Sequence, residues 1–363
     1  MKTDKALDLF AVAKSGAATP ASLGYSFPAE FAPHQATWLS WPHKEASWPG
    51  KIASIYPAYA EFIKWVALGE EVHINVADPS MEAEAKTHLL QAGVDMGQIF
   101  FHYFATNDAW CRDHGPAFLV NPGSEHPKAL VSWKYNAWGD KYPPYDLDNL
   151  IPEKIASFRN IPVFTPGIVM EGGSVEFNGK GTLLTSEACL LNPNRNPHLK
   201  QHEIEKFLHD YYGVSNILWL KDGIVGDDTD GHIDDLTRFV NEDTVVTAVE
   251  YDKHDENYAP LQENLELLKK LRLENGKQLN IVEIPMPQAV IHEDMRLPAS
   301  YANFYIANHA VIVPTFRDPN DDKALDIITS CFPDRKVIGV DSLDIIWGLG
   351  SFHCLSQQEP LVR

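Results

Sequence analysis

One plan recurs along this chain: a short strand containing an aromatic residue, a turn rich in Asn or Gly, then a β-branched strand. GPAFLV, NPGSEHPK and ALVSW give one copy, and GGSVEF, NGKG and TLLT give another. LTRFV, NED and TVVTAV follow the same order, as do NFYI, ANH and AVIV. Turn residues between two runs of β-favouring side chains mark hairpins. Between the hairpins lie the segments Leu147–Ser157, Leu199–Tyr211, Asn257–Leu273 and Asp322–Cys331, whose apolar residues recur at three and four positions. That period is the signature of a helix with one buried face. Hairpins and helices therefore alternate, which predicts an α/β protein.

Acidic residues fall on the same rhythm. Asp113 to Glu171 is 58 positions, Glu171 to Asp234 is 63, and Asp234 to Cys354 is 120, or two such steps. The skipped step lands near Asp294, ahead of the hairpin in PASYANFYIANHAVIVPTF. With the leading ATWLSWP unit there are five modules of one kind. If they stand around an axis, equivalent strand ends meet and residues remote in sequence share one site. Chance spacing in another α/β fold is the competing explanation.

The chain has 363 residues, 44% hydrophobic and 22% charged, with a net charge of −20. Such a balance repels nucleic acid and anionic membrane and suits a cationic ligand. Cys111, Cys189, Cys331 and Cys354 form no CxxC pair, so neither a zinc knuckle nor a redox dithiol is indicated, and a reduced, cytoplasmic setting is expected. Asp4 and Asp8 interrupt the basic start, and no apolar run approaches the roughly 18 residues of a membrane span. Residues 1–24 are expected to form an N-terminal arm and residues 25–363 a single catalytic domain.

Cys354 has Asp113, Glu171, His232 and Asp234 as candidate companions. Carboxylates around a thiol oppose thiolate formation and repel an oxyanion, which disfavours attack on an ordinary ester or amide. They fit an electrophile that is itself a cation. His232 and Asp234 are two apart, so an extended segment would point both to one face. Arg112 and Asp113 are adjacent and should point apart, leaving Asp113 free to face the site while Trp110 offers a flat wall for an aliphatic stem. Taken singly, Asp113 before Gly115-Pro116 and Glu171 before Gly172-Gly173 also read as turn acids, and Cys354 as a small buried hydrophobe. Gly348, Gly350 and Ser351 clear space before the thiol. GLG lacks the third glycine of a dinucleotide fingerprint, and no HExxH or Cys/His cluster appears, so neither an organic cofactor nor a metal is expected.

Six motifs carry a resemblance. FPAEFAPHQATWLSWPH, NDAWCRDHGPAF, NAWGDKYPPYDLD, MEGGSVEFNGKGTLLTSEACLLNPNRNP, DGHIDDLTRFV and GLGSFHCLSQQEP, in order from about Phe27 to Pro360, resemble the agmatine deiminase and bacterial peptidylarginine deiminase family. The resemblance implies a pentein fold, a five-bladed α/β propeller of ββαβ modules around a central channel. It implies that Cys354 attacks the guanidinium carbon, that Asp113 and Asp234 grip the guanidinium nitrogens, and that His232 serves as general acid and base. Glu171 is implied to assist His232 and the guanidinium, and Trp110 to cover the substrate stem. No cofactor or metal is implied.

Agmatine, giving N-carbamoylputrescine and ammonia, is the leading substrate. Free arginine or peptidyl arginine, giving citrulline, stays open, because the last motif reads GLGSFHC where GGGNIHC is more usual, and Lys134, Tyr135 and Lys141 sit around NAWGDKYPPYDLD. Acids near the substrate tail would favour the amine of agmatine; bases would favour a carboxylate. An amidinotransferase and a non-catalytic binding propeller are the competing classes. The expected partner is a small cationic guanidine, with a homo-oligomer left open.

Overall fold

The computed structural model describes residues 18–362. Residues 1–17 of the expected arm lie outside the described residues; in its remainder, Ala21–Leu23 make one 3-10 turn. Next comes a parallel run of β1 (His34–Ser40), β2 (Glu71–Asn75) and β3 (Ile99–His102). Helices Ile52–Val66 and Pro79–Ala92 make the crossovers that parallel strands require. Asp78 fixes the start of the second helix by accepting from the Ser80 and Met81 amides at 2.8 and 3.0 Å. Gly93, with φ 73°, ends it.

Three contiguous modules follow. β4 (Ala117–Val120) and β5 (Lys128–Val131) form an antiparallel hairpin, and helix Ile151–Arg159 leads to β6 (Val163–Phe164), parallel to β5. β7 (Val175–Phe177), β8 (Thr182–Ser186) and β9 (Asn216–Leu220) repeat the pattern across helix Gln201–Tyr212. β10 (Thr237–Phe239), β11 (Thr244–Val249) and β12 (Asn280–Pro285) repeat it across helix Tyr258–Leu268. After a small hairpin of β13 (Ile291–His292) and β14 (Met295–Arg296), a further module has β15 (Tyr305–Ile306), β16 (Ala310–Thr315) and β17 (Lys336–Asp341) around helix Asp321–Cys331.

The ring is closed by the far end of the chain. β18 (Ser356–Pro360) pairs antiparallel with β1, placing Trp38 opposite Gln357. The first module thus has the same antiparallel strand as the others but receives it from about 320 residues away. Five ββαβ modules result, and all four hairpins expected from the sequence are present. The 257–273 helix is shorter than its apolar period suggested and stops at Leu268. The step expected near Asp294 is displaced: Asp294 sits at the tip of the β13–β14 hairpin with φ 66°, outside the repeating module.

Each module buries its helix against its own sheet, as Ile204, Leu208 and Tyr212 do against Val175, Phe177 and Leu183. The inner ends of the sheets carry polar side chains instead. Glu30, wholly buried, accepts from Arg112 Nη2 at 3.0 Å, Arg238 Nη2 at 2.9 Å and the Ile306 amide at 2.9 Å, and meets His353 Nε2 at 2.8 Å. It ties the residues flanking the site into one block.

Candidate active site

The segments just before the first strand of each module converge. Asp113 lies in the helical turn Cys111–His114 before β4, Glu171 precedes β7, Asp234 lies in the 3-10 turn Ile233–Asp235 before β10, and Cys354 precedes β18. The fifth module contributes Asn303, just before β15, rather than Asp294. Asn303 Nδ2 donates to Cys354 Sγ at 3.0 Å and to Asp235 Oδ1 at 2.9 Å, and its Oδ1 accepts from the His353 amide at 3.1 Å. Nothing in the PASYANFYI sequence distinguishes this Asn as a site residue except its place in the repeat.

All the residues expected at the site meet there. Cys354 Sγ is 3.5 Å from Asp234 Oδ2, and His232 Nδ1 is 3.9 Å from Asp113 Oδ2 and 4.0 Å from Asp234 Oδ1. His232 and Asp234 face one another from a 3-10 turn; the strand that was expected to align them starts only at Thr237. Arg112 and Asp113 do point apart, with Arg112 bound to Glu30 and Gln358. Trp110 lies against Trp48, with ring centroids 5.2 Å apart, and walls the cavity.

Glycines permit this convergence. A Cβ on Gly173 would fall 2.5 Å from His232 Nδ1 and 3.0 Å from Asp113 Oδ1. A Cβ on Gly350 would fall 2.7 Å from the Trp110 ring and 3.3 Å from Cys354 Sγ. Leu349 between the two glycines of GLG has φ 69°, a left-handed backbone that favours glycine.

Burial and charge set the protonation states. Burial pushes the Cys354 thiol well up, and the charges of Asp234, Asp235 and Asp113 push it further. The resting thiol is therefore protonated. Burial alone would lower His232, but the Asp113 carboxylate, then Cys189 and Asp234, hold it well above its ordinary value. Asp113 is raised by burial against the opposing pull of His232. Asp234 resists its burial and is lowered by the hydrogen bond and charge of His353, whose Nδ1 is 2.6 Å away.

Several partners of the site were not anticipated. Arg195, from NPNRNP, donates from Nε to Glu171 Oε1 at 2.7 Å and from Nη2 to the Thr229 carbonyl at 2.7 Å. Trp138, from NAWG, donates from Nε1 to Asp113 Oδ2 at 2.9 Å. Among the described residues, both His232 ring nitrogens, Glu171 Oε2 and Asp234 Oδ1 are buried without a hydrogen-bond partner. Orphaned polar atoms cost about 1–3 kcal/mol each, so their concentration here marks a place fitted to a polar ligand. Glu171, Cys189 and His232 are the one set among the described residues with metal-ligand spacing, their candidate atoms lying within 4.8 Å of one another. The Arg195 guanidinium on Glu171 opposes a cation there.

Above the thiol opens a cavity of about 290 Å³. Cys354, Asp113 and Trp110 line its floor, and Asp228 and Glu293 contribute acids elsewhere in its wall. Lys44 is the single lysine or arginine in that wall, and it pairs with Asp108 at 3.3 Å. Lys134 and Lys141 do not line it.

Comparison with known proteins places this arrangement. The Porphyromonas-type peptidyl-arginine deiminase family matches residues 26–360. An agmatine deiminase of Pseudomonas syringae pv. tomato is 35% identical over 367 residues, covering 94% of this chain and 97% of its own. The solved agmatine deiminase of Enterococcus faecalis superposes with a TM-score of 0.88 at 32% identity, covering 95% of this chain and 98% of its own. A cysteine-to-serine variant of the Campylobacter jejuni agmatine deiminase, solved with substrate bound, gives a TM-score of 0.84 at 34% identity, covering 92% and 96%.

Proposed function

The chain belongs to the Porphyromonas-type peptidyl-arginine deiminase family, and from that premise we propose that it hydrolyses agmatine to N-carbamoylputrescine and ammonia. The fold is the pentein propeller of its relatives. The cavity carries the choice of substrate. The Cys354 thiol and the Asp113 carboxylate at its floor, with Asp234 3.5 Å from the sulfur, suit a guanidinium, while Asp228 and Glu293 suit the amine at the other end of agmatine. A carboxylate on the tail, as in arginine, would meet these acids with Lys44 already paired.

In the reaction, Asp113 and Asp234 accept from the guanidinium N–H groups and hold its plane against Cys354. The bound cation offsets the acids that keep the thiol protonated, so Cys354 ionises in the complex, its proton passing to solvent, and its sulfur attacks the central carbon. His232, held protonated in the free enzyme, gives its proton to the departing nitrogen, and ammonia leaves as the C–N bond breaks. The product on the enzyme is an S-alkylthiouronium on Cys354. Neutral His232 then takes a proton from water, the hydroxide adds to the same carbon, and the C–S bond breaks as the adduct's hydroxyl proton passes to the leaving sulfur, which releases the ureido product and restores the thiol. Glu171, fixed through Oε1 by Arg195, presents its free Oε2 to His232 and the substrate.

The four cysteines are all free, which supports a reducing, cytoplasmic setting. Among the described residues no helix is long and apolar enough to cross a membrane. Ammonia and ureido product measured with agmatine, free arginine and arginine peptides, each with and without an added amine acceptor, test the proposal. Ureido formation from agmatine, lost in Cys354→Ala, is expected. Preference for an arginine compound, transfer to the amine, or full activity in Cys354→Ala would overturn it.

A further inference from the structure

The strap between β5 and β6 carries a backbone feature that folding alone does not explain. Ala137, Trp138, Gly139 and Asp140 all have positive φ, at 48°, 56°, 92° and 62°. Only Gly139 adopts that region without a Cβ penalty, so three side-chain-bearing residues are held in a costly left-handed turn. Strain of this kind persists only where surrounding contacts over-determine it, and it concentrates at functional sites. The restraints are present here. Asn136 Oδ1 accepts from the Gly139 amide at 2.9 Å, and Lys141 Nζ meets Asp230 Oδ1 at 2.8 Å. Tyr142 donates to Asp228 Oδ2 at 2.5 Å.

What the turn achieves is the placement of one side chain. Trp138 is buried, stands edge-on to Trp110 with ring centroids 6.5 Å apart and planes at 72°, and lines the cavity. Its Nε1–H donates to Asp113 Oδ2, while the Gly173 amide donates to Oδ1 at 2.9 Å. One donor on each oxygen fixes the carboxylate plane and leaves lone pairs for two guanidinium N–H groups. We propose that Trp138 is a positioning residue for guanidinium recognition, orienting Asp113 through its indole N–H and extending the wall beside Trp110. The left-handed turn is the device that delivers it.

This inference rests on the proposed agmatine reading, and the test separates the two. Trp138→Phe keeps an aromatic ring in the wall, smaller than indole, and removes the N–H. With agmatine, KM is expected to rise about tenfold or more, the scale of one lost hydrogen bond to a charged group, with a smaller change in kcat. The acid limb of kcat/KM should move to higher pH, because Asp113 loses a donor to its ionised form while His232, Asp234 and Glu171 around it are unchanged. Agmatine should also bind about tenfold more weakly to Cys354→Ala carrying Trp138→Phe than to Cys354→Ala alone.

Gly139→Ala provides a second arm. A Cβ there would meet the Asn194 side chain at 2.5–2.8 Å and face a φ of 92°, so it should unseat the strap and give the same KM and pH shifts with Trp138 intact. Unchanged KM, binding and pH profile in either folded variant would overturn the inference. A wild-type protein inactive on agmatine would instead overturn the functional proposal.

Discussion

The state of Cys354 follows from its neighbours: a thiol raised by burial and three carboxylates is neutral at pH 7 and becomes nucleophilic only beside a cation. Thiolate absorbance, taken as wild type minus Cys354→Ala, should therefore appear only on the alkaline side of an ordinary thiol's range; titration below pH 7 in the free enzyme would contradict this. Arg195→Gln leaves a buried Glu171 without its counter-ion, at a cost of roughly 3–5 kcal/mol. Its kcat should fall by about a hundredfold through misplacement of Glu171, measured beside Arg195→Lys, which should recover part of the loss. Glu30 supplies the pH test. Its two arginines and His353 overcome burial and hold it well below its ordinary value of 4.5. A depressed carboxylate stabilises the fold fully above its unfolded value and ceases to do so as pH falls through the folded one. The advantage of wild type over Glu30→Gln in urea unfolding should thus be constant from neutrality to about pH 5 and shrink below pH 4.5; growth on acidification would refute the assignment. Titratable residues at repeat-related spacing were legible in the sequence. Arg195, Asn303 and Trp138 were not, because they act by hydrogen bonds to partners 24, 51 and 25 positions away in sequence.

At the scale of elements, turn chemistry carried most of the information. The β7–β8 hairpin is set by Asn178, whose Oδ1 accepts from the Lys180 and Thr182 amides at 2.9 Å each, with Gly179 and Gly181 at positive φ. Such Asn-Gly turns are local, so four hairpins could be read directly. β18 could not be, since Ser356, Gln357, Gln358 and Glu359 are polar yet all buried; alternation of apolar and polar residues finds no strand there. Asp78 gives the element-scale prediction. As the cap of the exposed helix Pro79–Ala92, its replacement by Ala should cost about 1 kcal/mol and leave kcat/KM for agmatine unaltered, since the helix lies outside the site. A large activity loss at unchanged fold would contradict the modular separation of scaffold and centre.

In the whole molecule, one residue of β18 joins the first module to the second. Glu359 accepts from Trp38 Nε1 at 2.9 Å, Lys128 Nζ at 2.7 Å and Arg159 Nε at 2.9 Å. Glu359→Ala leaves the partly buried Lys128 without its carboxylate and Arg159 with only the more distant Glu71, and should lower stability by roughly 1–3 kcal/mol, seen as a reduced urea midpoint. It should also loosen the adjoining Cys354, so that alkylation of that thiol by iodoacetamide becomes faster than in wild type; equal rates would dissociate ring closure from the site. Because β18 both completes the first module and follows the nucleophile, its position has a consequence for biosynthesis. A ribosome delivers the reactive sulfur and the last blade strand within a few codons of each other, after every other site residue has emerged. A nascent chain therefore carries the site's acids but no nucleophile until the ring can shut, and translation that stalls upstream of Cys354 yields a polypeptide unable to form the amidino intermediate.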